Sequence, residues 1–207
     1  MLFSGSLTAM ISGAVIVLVT ITVHELAHGY TAYLLGDNTA KNAGRLSLNP
    51  LAHLDPLGAI LLFVTGFGWA KPVPINPFYF KGSRSRGILL VSLAGPLSNV
   101  VLAFVLAMFV PLAARFNMSL AQIIASAIYL NIYMAIFNLL PIPPLDGSKI
   151  LASLIPKDAA YKFLSVMDQY GMILLLVLAI TNVFGKIISP IAGGIYTAFV
   201  TLAFTLF

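Results

Sequence analysis

The chain has 207 residues, 60% of them hydrophobic and 8% charged, with a mean hydropathy of +1.02. So apolar a polypeptide cannot keep its surface in water, which excludes an ordinary soluble domain and implies an integral membrane protein. The absence of cysteine removes disulfides, thiolate metal sites and a cysteine nucleophile. The net charge of +5 comes from basic residues scattered between apolar runs, not from the basic stripe that nucleic acid needs.

The first predicted element is the apolar run from Leu7 to Leu35, long enough to cross a bilayer, which takes about 20 residues. It lacks a basic leader and a small-residue cleavage site, so it reads as a retained span and not as a signal peptide. Its only charge is Glu25, the one glutamate of the chain, within His24-Glu25-Leu26-Ala27-His28. Four residues apart on a helix, His24 and His28 project from one face, where both imidazoles can hold one metal ion. Glu25 projects from the adjoining flank, as a general base beside a metal-bound water does. The alternative is a self-satisfied polar cluster between helices. Ionisable groups at membrane depth cost about 2.5 to 3.5 kcal/mol or more, which favours the functional reading.

Between this span and the next, His53 lies in a loop with Asn49, Pro50, Asp55 and Pro56. It is either a loop histidine satisfied by Asp55 or backbone, or a donor to the oxyanion of a reacting carbonyl and a reserve metal ligand. The apolar stretch from Leu57 to Gly68 is too short to cross and reads as a re-entrant or interfacial element. Phe67 to Pro77 alternates loosely, and Pro72, Pro74 and Pro77 are compatible only with edge strands. Such an edge can pair with an extended substrate, or the hairpin simply packs on the mouth of the site.

Two further strong spans run from Ile88 to Val110 and from Leu120 to Leu140. In the first, Asn99 follows Gly95 by one helical turn and either cross-links closely packed helices or contacts substrate. Asn138, near the end of the second, either closes the helix or binds substrate backbone or the oxyanion. Beyond it Pro141, Pro143 and Pro144 stop any helix, a break tolerated at membrane depth only where it lines a cavity or packs on protein. Asp146-Gly147 follows, so Asp146 is either the cap of the next helix or a third metal ligand. Gly171 to Phe207, interrupted by Lys186, Pro190 and Gly193-Gly194, supplies one span or two. With no internal repeat or polar stretch of domain length, residues 1–207 are expected to form one membrane domain.

The basic residues orient it. Lys41, Arg45, Lys71, Lys81, Arg84 and Arg86 crowd the connection between the first two strong spans; Lys149, Lys157 and Lys162 follow the third, and Arg115 stands alone between the second and third. The positive-inside rule puts the crowded loops in the cytoplasm and brings the His pair and Asp146 to the same, cytoplasmic side.

Together these residues resemble the site-2 protease family of intramembrane zinc metalloproteases. The resemblance rests on His24-Glu25-x-x-His28 with Asn138-x-x-Pro141-x4-Asp146-Gly147, and more weakly on Gly95-x3-Asn99, on Asn49-Pro50-x-x-His53-x-Asp55-Pro56 and on Gly68-Trp69-Ala70-Lys71-Pro72-Val73-Pro74. It implies an all-α polytopic fold with three core spans about one zinc ion, a short β element, His24, His28 and Asp146 as ligands, and Glu25 as catalytic base. It also implies membrane-anchored protein substrates cut in or near their transmembrane segments, in a multi-pass protein of the cell membrane. Nothing in the sequence reads as the PDZ or CBS domain that several relatives carry. A metal transporter and a catalytically silent scaffold are the competing classes, but a transporter favours polar residues spread along a pathway and often a repeat.

Overall fold

The computed structural model describes residues 7–58, 60 and 70–207. Among them five helices are long and apolar enough to cross a membrane: α1 (Leu7–Leu34), α3 (Arg84–Phe116), α4 (Met118–Asn138), α6 (Lys157–Ile180) and α7 (Val183–Leu206). Two shorter helices, α2 (Thr39–Asn42) and α5 (Asp146–Leu154), lie in the connections. The polytopic all-α architecture read from the apolar runs is therefore the observed one.

Local chemistry sets the helix ends. Ser83 caps α3 by accepting from the Arg86 amide, and Asn117 closes the two-helix turn by accepting from Ser119 and Leu120. With 33 residues α3 is about 50 Å long, well beyond the ~30 Å hydrocarbon layer, so Arg84, Arg86 and Arg115 ride on helical turns outside the apolar stretch from 88 to 110. At the C-terminal end the chain makes two spans. The break falls at Thr181–Asn182, where Asn182 takes a left-handed conformation with φ 53°. Pro190 sits inside α7, since neighbouring helices can satisfy the backbone group that a proline frees.

Helix α3 is the hub, packing on α1, α4, α5 and α7. Its Ala103 and Ala107, buried with Ile128, Ile132 and Ala192, let α3, α4 and α7 approach closely. Lipid tails are as apolar as the side chains, so contact area gained by small residues drives helix association there. Larger apolar residues such as Val15, Val19, Val101 and Phe109 point outward, as a lipid-facing surface requires.

The expected β element is reduced in the described residues to one isolated antiparallel bridge, Leu54 to Ala70. Pro72 and Pro74 deny the segment the donors a ladder needs, so residues 71–76 run without regular structure. Of the re-entrant stretch expected from Leu57 to Gly68, residues 59 and 61–68 lie outside the described residues, as does Trp69.

Candidate metal centre

The continuous helix α1 puts His24 and His28 one turn apart, their rings edge to face at 4.6 Å between centroids. Their Nε2 atoms are 3.0 Å apart, and each lies 3.1 Å from Oδ2 of Asp146. All three residues are buried. Four-coordinate zinc with bonds of about 2.0–2.1 Å holds neighbouring ligand atoms about 3.3–3.4 Å apart. The three atoms thus need to part by only a few tenths of an ångström to accept an ion.

Proton counting points the same way. His28 donates from Nδ1 to the carbonyl of Val91 at 2.7 Å. In the neutral imidazole that one proton is on Nδ1, and Nε2 of His28 then presents a lone pair toward the Asp146 carboxylate and the His24 ring nitrogen. Gathered in a buried place, Nε2 of His24, Nε2 of His28 and Oδ2 of Asp146 are placed so that they could hold one metal ion, and a donor set of two imidazoles and a carboxylate suits zinc. Asp146 does not cap α5; the first residue before that helix is Leu145, and the Asp146 side chain makes no capping bond.

Two glycines make the convergence possible. A Cβ on Gly95 of α3 would collide with the ring atoms of both His28 and His24. A Cβ on Gly147 would collide with the carbonyls of Leu139 and Leu140 at the end of α4, so only glycine lets α5 start beneath the proline break.

The centre opens into a cavity of about 130 Å³ lined by His24, Glu25, His28, Val73, Asn138, Pro144, Asp146 and Lys149, among others. A water needs about 10–15 Å³ of such space, which leaves room for a water and a peptide group beside His24, His28 and Asp146. Glu25 faces this cavity, and its Oε2 accepts from the Val73 amide at 2.9 Å. Lys149, one turn into α5, stands 3.6 Å from the other Asp146 oxygen.

The remaining sequence candidates separate. Asn138 lines the cavity while its amide nitrogen donates back to the Met134 carbonyl. Asn99 is fully buried behind His24, 3.2 Å from its Nδ1, and is not among the residues lining the cavity. His53 is fully buried and donates from Nε2 to the Ser47 carbonyl, while its backbone carbonyl receives the Lys71 amide. It too is absent from the cavity lining.

Sequence reading missed the clamp on residues 71–76. Buried Arg45 donates to the carbonyls of Lys71 and Pro72, and buried Asp37 accepts from the Asn76 amide. The available signal was charge, since an arginine and an aspartate among apolar and proline-rich loops need partners once buried.

Comparison with known proteins agrees with this site. Residues 113–178 match the model of peptidase family M50. The chain is 44% identical over 185 residues to the "Putative zinc metalloprotease YwhC" of Bacillus subtilis, an alignment covering 86% of this chain and 84% of the relative. Proteins named "Putative zinc metalloprotease Rip2" from Mycolicibacterium smegmatis and Mycobacterium tuberculosis are each 31% identical. Those alignments cover 79% and 85% of this chain, and 64% and 68% of the relatives. No solved structure matches the chain. With the His24–His28–Asp146 cluster, five helices long and apolar enough to cross a membrane and a relative this similar along most of both chains, the chain belongs to peptidase family M50, the site-2 proteases.

Proposed function

We propose that this chain is an intramembrane zinc endopeptidase that hydrolyses peptide bonds in or near the transmembrane segments of membrane-anchored proteins, with His24, His28 and Asp146 holding the metal and Glu25 as base. The observation that carries this reading is the meeting of three candidate ligand atoms within 3.1 Å of one another, in the same cavity as the chain's one glutamate. Zinc, when bound, supplies Lewis acidity that brings a water's pKa to about 7 and polarises the scissile carbonyl.

The residues do the rest. Glu25 takes a proton from the attacking water at a carboxylate oxygen and returns it to the leaving amine nitrogen. Asp146 and the two imidazoles fix the ligand positions, leaving the side toward the cavity open. Asn138 offers a polar group at the cavity wall beside the substrate backbone. A transmembrane helix keeps its amides bonded internally, so the cut segment enters this cavity unwound. Water reaches it from the side on which Lys81 and α5 lie, and the excess of basic residues there supports a cytoplasmic orientation.

The test compares wild type with Glu25→Gln in detergent and in vesicles, reading bound zinc, zinc uptake and cleavage of a single-span substrate. Wild type is expected to bind one zinc and to cleave; Glu25→Gln keeps the zinc and loses at least about 10² in rate. Asp146→Ala and His28→Ala lose zinc alike, and His53→Ala keeps it. Zinc flux without cleavage in wild type would identify a transporter, and bound zinc with neither activity a silent scaffold. Unchanged cleavage by Glu25→Gln would remove Glu25 from the mechanism.

A further inference from the structure

Val91, Gly95 and Asn99 stand at successive turns on one face of α3, the face against which the two imidazoles of α1 press. Val91 supplies a carbonyl to Nδ1 of His28, and Gly95 supplies the space for both rings. Asn99 lies 3.2 Å from Nδ1 of His24, its side chain wholly buried. Its amide nitrogen faces the ring, while its Oδ1 has no partner.

That orientation conflicts with metal ligation. If Nδ1 of His24 accepts from the amide, its proton sits on Nε2, the atom that points at Asp146 and His28. Ligation through Nε2 requires the proton on Nδ1 and therefore an acceptor beside it. A half-turn of the carboxamide brings the orphaned oxygen to that place, and which of the two atoms faces the ring is decided by the hydrogen-bond network. We infer that Asn99 is a positioning residue for His24, its carboxamide oxygen accepting the Nδ1 proton so that Nε2 presents a lone pair to the metal. One face of α3 then serves as a template that sets the tautomer of both ligands, by a backbone carbonyl for one and a side chain for the other.

The inference rests on the zinc-site reading above, and its test separates the two. Zinc affinity of the full chain in detergent micelles is measured by competition with a chromophoric chelator, for wild type, Asn99→Leu, Asn99→Ala and Asn99→Asp. Loss of such an outer partner typically weakens metal binding by about 10- to 100-fold, and that loss is expected for Asn99→Leu and Asn99→Ala. Aspartate keeps the shape and can only accept, so Asn99→Asp is expected to hold zinc at least as tightly as wild type. Zinc binding as weak in Asn99→Asp as in Asn99→Leu would show that the amide donates, and overturns the inference. So would wild-type affinity in the leucine and alanine variants. Should those two fail to fold, the isosteric aspartate variant decides alone: retention supports the acceptor role, and weakening overturns it. A wild-type protein that binds no zinc overturns the metal site itself, a separate failure.

Discussion

Gly95 is the residue on which the placement of the His24 and His28 rings turns. In an ordinary helix, replacing glycine by alanine stabilises by about 1 kcal/mol in water, since the backbone loses less freedom on folding. Here the added methyl meets the two imidazoles, which are fixed by Val91, by Asn99 and by each other, so neither ring can give way without leaving its place. Gly95→Ala is therefore expected to lower zinc occupancy to below half of wild type. Gly193→Ala, on a helical position where a Cβ meets nothing within 4 Å, is expected to leave it unchanged. Metal analysis of the two purified variants checks this, and full zinc in Gly95→Ala would mean that α3 can move away from the ligands. That His24 and His28 share one face was legible in the sequence because it is local: a spacing of four residues fixes one helical face. Asn99 was legible only as a polar residue one turn from a glycine, since its meaning depends on a ring carried by another helix.

Helices were read well from sequence where hydropathy alone decides them, and less well where it does not. The expected span from Leu7 to Leu35 ends one residue earlier in the structure, at Leu34. Helix α3 extends beyond the expected 88–110 at both ends, because polar and basic residues continue a helix outside the hydrocarbon as readily as apolar ones do inside it. The C-terminal break lies at Asn182 and not at the proline or the glycine pair, which a span tolerates. The segment 71–76 was the hardest to read. Its path is set by Arg45, Asp37 and Glu25, whose side chains bond backbone groups of Lys71, Pro72, Asn76 and Val73 from 26 to 48 residues away. Bonds to backbone leave no pattern in the residues that receive them. The result is that the proposed base and the cavity wall are one assembly, because the amide of Val73, a lining residue, also holds the Glu25 carboxylate.

Across the whole molecule, α3 separates two ends. At one, Ser85 donates to the carbonyl of Ser153 in α5, near Lys81, Arg84 and Arg86; at the other, Arg115 donates to the carbonyl of Phe207. The basic excess at the first end predicts that Lys81 faces the cytoplasm and Arg115 the outside. The chain has no cysteine, so single cysteines introduced at positions 81 and 115 report without background. A membrane-impermeant thiol reagent applied to intact cells is expected to label position 115 and to spare position 81. Labelling of both would place the two ends of α3 on one side and remove the membrane-spanning arrangement.

The proposed ligands come from α1 and α5, His24 and Asp146 being 122 positions apart. An ion held by both is a cross-link through most of the fold, and its binding energy is then folding energy. By mass action, free zinc at a thousand times its dissociation constant adds about 4 kcal/mol to the stability of the native state. Stripping the metal with a chelator is accordingly expected to lower the melting temperature of the wild-type protein by several degrees, and to leave that of His28→Ala where it was. Equal melting of wild type with and without chelator would mean that α1 and α5 are held together by their packing on α3 alone. In the linked case an enzyme short of zinc is also a loosened membrane protein, exposed to degradation before it is merely idle, and its abundance follows the metal supply.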